Sequence, residues 1–122
     1  MKTDEFSRML ELRTRHFALD ILKLSMQLSR NPDLDDFRDK LVRAGAGIGG
    51  NYWEAFRSEE TRQYQDLISQ CAHNTRETIQ WLETMEQAGL TDAQTLFSML
   101  NEARDLLSIF SALMEDKEKL AG

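Results

Sequence analysis

The stretch Arg43-Ala-Gly-Ala-Gly-Ile-Gly-Gly-Asn-Tyr-Trp-Glu-Ala55 decides how this chain is read. It places Gly45, Gly47, Gly49 and Gly50, four of the six glycines, within six residues. Glycine costs about 1 kcal/mol relative to alanine inside a helix, so a run of four needs a reason. One reason is a turn that cradles phosphate. The other is a helix surface stripped of side chain so that a second helix can come close. Gly45-x-Gly47-x-x-Gly50 matches the dinucleotide fingerprint, but that fingerprint works between a strand and a helix of a βαβ unit. Here Phe37, Leu41, Ala44, Ile48 and Ala55 carry a helical apolar pattern straight through the glycines, and no strand is predicted nearby. Gly45-x-x-x-Gly49 and Ala46-x-x-x-Gly50 have the small-residue spacing that lets helix backbones approach. Phe17, Trp53 and Trp81 are the bulky candidates to cover them.

This segment runs from about 35 to 56, with Asp35, Asp36 and Asp39 near its start, where the helix dipole favours negative charge. Upstream, Phe6, Leu10, Phe17, Ile21, Leu24 and Leu28 form a helical stripe over about 4–30, and Asn31-Pro32-Asp33 ends it. Downstream, Ser58-Glu-Glu is a plausible cap for a third segment over about 58–88. Its stripe is Tyr64, Leu67, Cys71, Thr75, Thr78, Leu82 and Met85, and Gly89 suits its end. Leu90, Thr91 and Gln94 then read as a capping box with an apolar residue before it. A fourth segment over about 92–120 carries Leu96, Leu100, Ala103, Leu107, Phe110 and Met114. With short connections throughout, the pattern predicts a single all-α domain over 1–122, an antiparallel up-down-up-down four-helix bundle.

At 122 residues the chain supports one core. Its 41% apolar and 30% charged content separates it from disordered chains. The single Cys71 cannot form an internal disulfide, which suits a reducing cytoplasm. No secretory leader is expected behind Met1, and no apolar run approaches the roughly 18 residues of a membrane span. The net charge of −6 is carried by the second half. Residues 1–62 hold 11 basic and 11 acidic side chains, and residues 63–122 hold 4 and 10. An acidic second half repels phosphate, so any nucleic-acid contact belongs to the first.

His16 with Asp20 and His73 with Glu77 are i,i+4 pairs and read as solvated surface pairs. No Glu-x-x-His pair or ring of inward carboxylates suggests a metal, and Cys71 lies on a core stripe, as an inert thiol would. No catalytic constellation is visible, so neither an enzyme activity nor a cofactor or small-molecule substrate is expected. The basic residues cluster: Arg8, Arg13 and Arg15, then Arg38, Lys40 and Arg43, then Arg57 and Arg62. Tyr52, Trp53 and Phe56 stand between Arg43 and Arg57. Arg13, Arg15, Arg43, Arg57 and Arg62 are therefore candidate contacts to RNA, by phosphate pairing and stacking. The competing reading pairs them with Glu54, Glu59 and Glu60. The fourth segment also has a second apolar row, Met99, Leu106, Ile109 and Leu113, with Phe97 beside it. A helix apolar on two sides wants a further partner. Trp81, Phe97, Leu106, Ile109 and Leu113 are thus candidates for an oligomer interface.

The run from Leu41 to Ala55 resembles the signature of the bacterial four-helix-bundle family that includes the 23S rRNA intervening-sequence proteins and the accessory variability determinants of diversity-generating retroelements. Arg43, Ile48, Gly49, Asn51, Glu54 and Ala55 match it, and Phe17-Ala18, Tyr64-Gln-Asp-Leu-Ile68 and Glu77 to Leu82 resemble its first and third helices. The chain has Gly45, Ala46 and Gly47 where that family usually has hydroxyl residues, and it is acidic where the retroelement members are basic. The resemblance implies a bundle assembling into a ring-like homopentamer with no established enzyme activity. It makes Arg43, Gly45, Ile48, Gly49, Asn51, Glu54 and Ala55 the motif and helix-packing residues. Asn51 and Glu54 are candidates for hydrogen bonds between helices or subunits. The resulting expectation is a cytoplasmic, non-enzymatic oligomeric adaptor that binds RNA or a nucleic-acid-handling protein. The alternative is a self-associating protein scaffold with no nucleic-acid role.

Overall fold

The computed structural model describes residues 5–28 and 30–121, with side chains through 115. It contains α1 (Glu5–Gln27), α2 (Asp35–Arg57), α3 (Thr61–Ala88) and α4 (Ala93–Ala121), with one 3₁₀ turn at Pro32–Leu34. Among the described residues there is no strand. The expected helix start at Asp4 lies outside the described residues.

Each boundary has a local cause. The Asn31 side chain accepts from the Asp33 amide at 3.0 Å, and Pro32 opens the 3₁₀ turn that separates α1 from α2. Ser58 is extended and ends α2, its amide bonded to the Ala55 carbonyl. It does not cap α3. Glu60 holds that position without a side-chain bond, so α3 begins at Thr61. Gly89 closes α3 in the left-handed region at φ 65°, and its amide and that of Leu90 take the carbonyls of Glu86 and Met85. α4 is capped by Asp92 rather than Thr91. The Asp92 carboxylate accepts the Thr95 amide at 2.9 Å and the Thr95 hydroxyl at 2.8 Å. These bonds, the amide foremost, hold the Asp92 carboxyl below its ordinary pKa.

All four helices contribute to one core. Leu10, Phe17 and Ile21 of α1 meet Leu41, Ile48 and Tyr52 of α2, Ile68, Leu82 and Met85 of α3, and Leu96, Leu106 and Phe110 of α4. Tyr52 packs on Phe56 and Phe110, with ring centroids 6.4 and 6.1 Å away. Buried Thr14, Ser25, Thr75 and Thr78 turn their hydroxyls back to carbonyls of their own helices at 2.7–3.0 Å. Among the described residues no buried side-chain nitrogen or oxygen is unpaired.

The glycine run lies wholly inside α2 and serves two neighbours. A Cβ on Gly45 would fall 2.9 Å from Ile21 Cγ2, and one on Gly49 would lie 3.5 Å from the Thr14 carbonyl oxygen. Gly45 is what lets α1 sit close along α2, whereas at Gly49 the added Cβ would make an ordinary van der Waals contact; between the two, residue numbers fall on one helix as they rise on the other. Gly47 points the other way, where a Cβ would come within 2.5 Å of Asn74 Nδ2 on α3. Ile21 and Asn74 therefore cover the glycines, in place of the expected Phe17, Trp53 and Trp81. Gly50 has nothing within 4 Å of the added Cβ, and Ala46 is exposed. The second small-residue pair thus faces no helix among the described residues.

Sequential helices pack along much of their length, whereas α1 and α4 touch only briefly. That gap is spanned by Arg13, which forks onto both Glu102 oxygens at 2.7 and 2.9 Å and reaches Asp105 at 3.5 Å.

Candidate functional site

Four of the expected interface residues do their work inside the subunit. Leu106 is 0% exposed and belongs to the core, which corrects its assignment to an oligomer surface. The reason is that α4 packs against α3 on one side and faces α1 on the other, so its buried face is wide enough to absorb Met99 and Leu106 as well as the main stripe. Ile109 and Leu113 are half-buried against the same core. Trp81 packs edge-on to Phe37 at 5.6 Å, lies under Lys40, and donates from its indole nitrogen to Glu77 at 3.4 Å. Phe97 differs: it is 65% exposed.

The larger apolar surface is on α1, where the sequence reading did not place it. Leu12, Leu19 and Met26 recur at steps of seven and stand opposite the buried row of Leu10, Phe17, Ile21 and Leu24. Leu12 is 60% and Met26 74% exposed, with Met9 and Leu22 also exposed beside them. Leu22 lines one open depression with Val42, Asp35, Asp36 and Asp39 of α2, while Met9 and Leu12 line another with Arg13, Asp20 and Glu102 on the α4 side. The signal was present in the seven-residue spacing, but Arg8, Glu11, Arg15 and Lys23 are interleaved with it and disguise it as a polar face.

The basic candidates are mostly spoken for. Arg13 is committed to Glu102 and Asp105, and that hydrogen bonding, led by Glu102, raises its pKa further. Arg15 pairs with Glu11, and Arg43, 80% exposed, pairs with Asp39 at 3.2 Å. Arg38 and Lys40 pair with Asp35 and Asp36. Arg43 and Glu54 point outward and do not pack helices, contrary to the motif reading. Asn51 is half-buried, and neither Asn51 nor Glu54 makes a side-chain hydrogen bond among the described residues. Ile48 and Ala55 are core, as the motif reading requires.

One basic-aromatic pair is open. The Arg57 guanidinium lies 4.5 Å over the exposed Trp53 ring. The two line a shallow depression with Glu54, Glu59, Glu60 and Gln63, so three carboxylates surround the one cation. Arg62 is exposed just beyond. This is a platform for a flat group, set in a negative surround. Cys71 is buried, donates weakly to the Ile48 carbonyl at 3.6 Å, and is pushed up to about 12 by desolvation. His73 is exposed, 3.9 Å from Glu77. Among the described residues no three His, Cys, Asp or Glu side chains converge as a metal site, and no helix is long and apolar enough to cross a membrane.

The helical architecture superposes on a crystal structure of a protein from Bacteroides thetaiotaomicron with a TM-score of 0.80, covering 86% of this chain and 97% of that one. This chain has the fold of an S23 ribosomal protein family member. That Bacteroides protein is itself described as having unknown function, and the two sequences are 18% identical, so the S23 likeness is one of fold. It agrees with the resemblance carried by residues 41–55. No family profile and no curated protein matches the chain.

Proposed function

We propose that this protein is a non-enzymatic adaptor that self-associates and docks a macromolecular partner. The observation that carries this is the exposed Leu12-Leu19-Met26 row on α1, on a helix whose opposite face is already buried. Scattered exposed leucines are ordinary, but a heptad-spaced row with Met9 and Leu22 alongside is the composition of a contact surface. In this reading the short connections make the four helices an up-down-up-down bundle, and copies of it close into a ring, which the family resemblance implies to be a pentamer. The partner is a protein, including one that handles nucleic acid. Self-pairing of the arginines favours that over a direct phosphate contact.

A second reading, direct RNA binding, rests on the Trp53–Arg57 stack, the one open pair of a cation and an aromatic ring on α2. Titration of a single-stranded RNA at several salt concentrations separates the two. Phosphate contact weakens log-linearly with salt, and Arg57→Glu abolishes it. On the adaptor reading RNA affinity is weak, non-specific and unchanged by Arg57→Glu. A tight, salt-steep affinity lost in that variant would establish the RNA reading instead.

A further inference from the structure

The first and last helices leave a groove between them. No turn joins α1 to α4, their backbones touch only briefly, and Arg13 bridges the gap to Glu102 and Asp105. Two openings of about 510 and 450 Å³ follow one another along this seam, and Asp20 lines both. Met9, Leu12 and Phe17 of α1 line the first, with Glu102 across from them. Leu24 and Gln27 line the second, with Gln94, Thr95, Ser98 and Met99 of α4 across from them. Phe17, Leu24 and Met99 are buried and form the floor, so the core is closed beneath the groove. From Met9 to Gln27 the groove follows α1 for about 27 Å, or about five helical turns.

Charge and polarity along the groove indicate what fits it. Asp20 and Glu102 line it with Arg13 and Lys23, and Asp105 stands beside Arg13, so three carboxylates face two cations. Arg13 is committed to Glu102 and Asp105. Asp20, half-buried at the middle, has no hydrogen-bond or ion-pair partner among the described residues. His16 lies on the rim, and Arg8 and Arg15 line neither opening. A half-buried carboxylate left unpaired favours an incoming cation and repels phosphate. The Met9 end is apolar, whereas the Ser98 end is lined by amides and hydroxyls. We propose that the groove seats an amphipathic helix of a partner protein. Its apolar stripe lies on Met9, Leu12 and Phe17, and a lysine or arginine stands opposite Asp20. Docking of this kind uses side chains at i, i+3, i+4 and i+7 as anchors. This names the partner chemistry of the adaptor reading above and rests on it.

The test is fluorescence anisotropy of a labelled helical peptide of about five turns, built from leucine, alanine and lysine, titrated with the full chain at about 0.15 M salt. Circular dichroism checks that each variant is as helical as the parent. The parent binds this peptide, and binds the analogue with glutamate in place of lysine at least about tenfold more weakly. Asp20→Lys weakens binding of the lysine peptide by about tenfold or more. Ser98→Trp, which fills the α4 wall without changing charge, does likewise. Two controls keep the parent affinity within about twofold, because distant charges are screened. Glu86→Lys makes the same charge change on α3, and Phe97→Ser removes an exposed ring that lines neither opening. Equal losses in Asp20→Lys and Glu86→Lys would reduce the binding to general attraction by an acidic chain and overturn the site. A preference for the glutamate peptide, or no binding by the parent, overturns it too. If Ser98→Trp breaks up an oligomer of the parent, the occupant is a second copy and the partner helix is overturned. The adaptor reading fails separately, without the peptide, if the parent binds RNA tightly and with steep salt dependence.

Discussion

Four glycines within one helix turn and a half have three different surroundings, and their substitutions should rank accordingly. Gly50→Ala meets open space and gains about 1 kcal/mol from helix propensity. Gly47→Ala displaces only the amide end of Asn74, a side chain that can swing aside, so most of that gain survives. Gly45→Ala drives a methyl against Ile21, which is fully buried and hemmed in by the core. Overpacking there costs about 1–3 kcal/mol, so the net change is a loss of about 1 kcal/mol. Urea unfolding at concentrations too low for self-association reads all three. A Gly45→Ala protein as stable as Gly50→Ala would show that the close approach of α1 does not depend on glycine. The glycines were legible as a packing surface from the Gly45–Gly49 spacing alone. Which neighbour each one served was not, because the direction of Gly47 toward α3 depends on where Asn74 arrives in space.

At the scale of the element, caps and bridges give the predictions. Asp92 holds the first turn of α4 through the Thr95 amide and hydroxyl. Its folded pKa is depressed, so its contribution is present above the unfolded value and is lost as pH falls through the folded one. Asp92→Ala should therefore destabilise the protein near neutral pH. The difference from the parent should begin to shrink near the unfolded value, about pH 4, and vanish only below the lower folded one. Asp92→Asn, which keeps an acceptor, should hold most of the stability across that range. A gap between parent and Asp92→Ala that persisted at low pH would mean that the carboxylate is not the cap.

Arg13 is the second such device. It bridges α1 to α4 where the backbones barely meet, and both it and Glu102 are only about one-third exposed. A double-mutant cycle with Arg13→Met and Glu102→Gln should give a coupling of about 1 kcal/mol, at the upper end for a partly exposed pair because the contact is bidentate. A coupling of zero would leave the α1–α4 gap to apolar contact alone. The existence of all four helices was readable from their apolar stripes, and so was the stop at Gly89. The starts of α3 and α4 were misplaced, since Ser58 and Thr91 have capping chemistry but Glu60 and Asp92 have the capping positions. Backbone geometry rather than residue type decides between neighbours of that kind.

For the molecule as a whole, the main revision concerns where apolar surface is left over. On sequence alone the surplus apolar surface falls on α4, whose second row is conspicuous because few charges interrupt it. A bundle helix flanked on both sides buries more than one row, and Leu106 is the consequence. The row on α1 was harder to see among arginines and glutamates, but its residues are the ones the fold leaves outside. The S23 likeness supports the architecture and leaves assembly to be measured.

That measurement is the native mass of the protein at micromolar concentration, taken gently from its own cells at low salt, beside a Leu19→Lys variant. The account predicts a discrete homo-oligomer for the parent, free of nucleic-acid mass, and a well-folded monomer for Leu19→Lys. A parent that runs as a 14.1 kDa monomer, or a Leu19→Lys variant that assembles as the parent does, would contradict it.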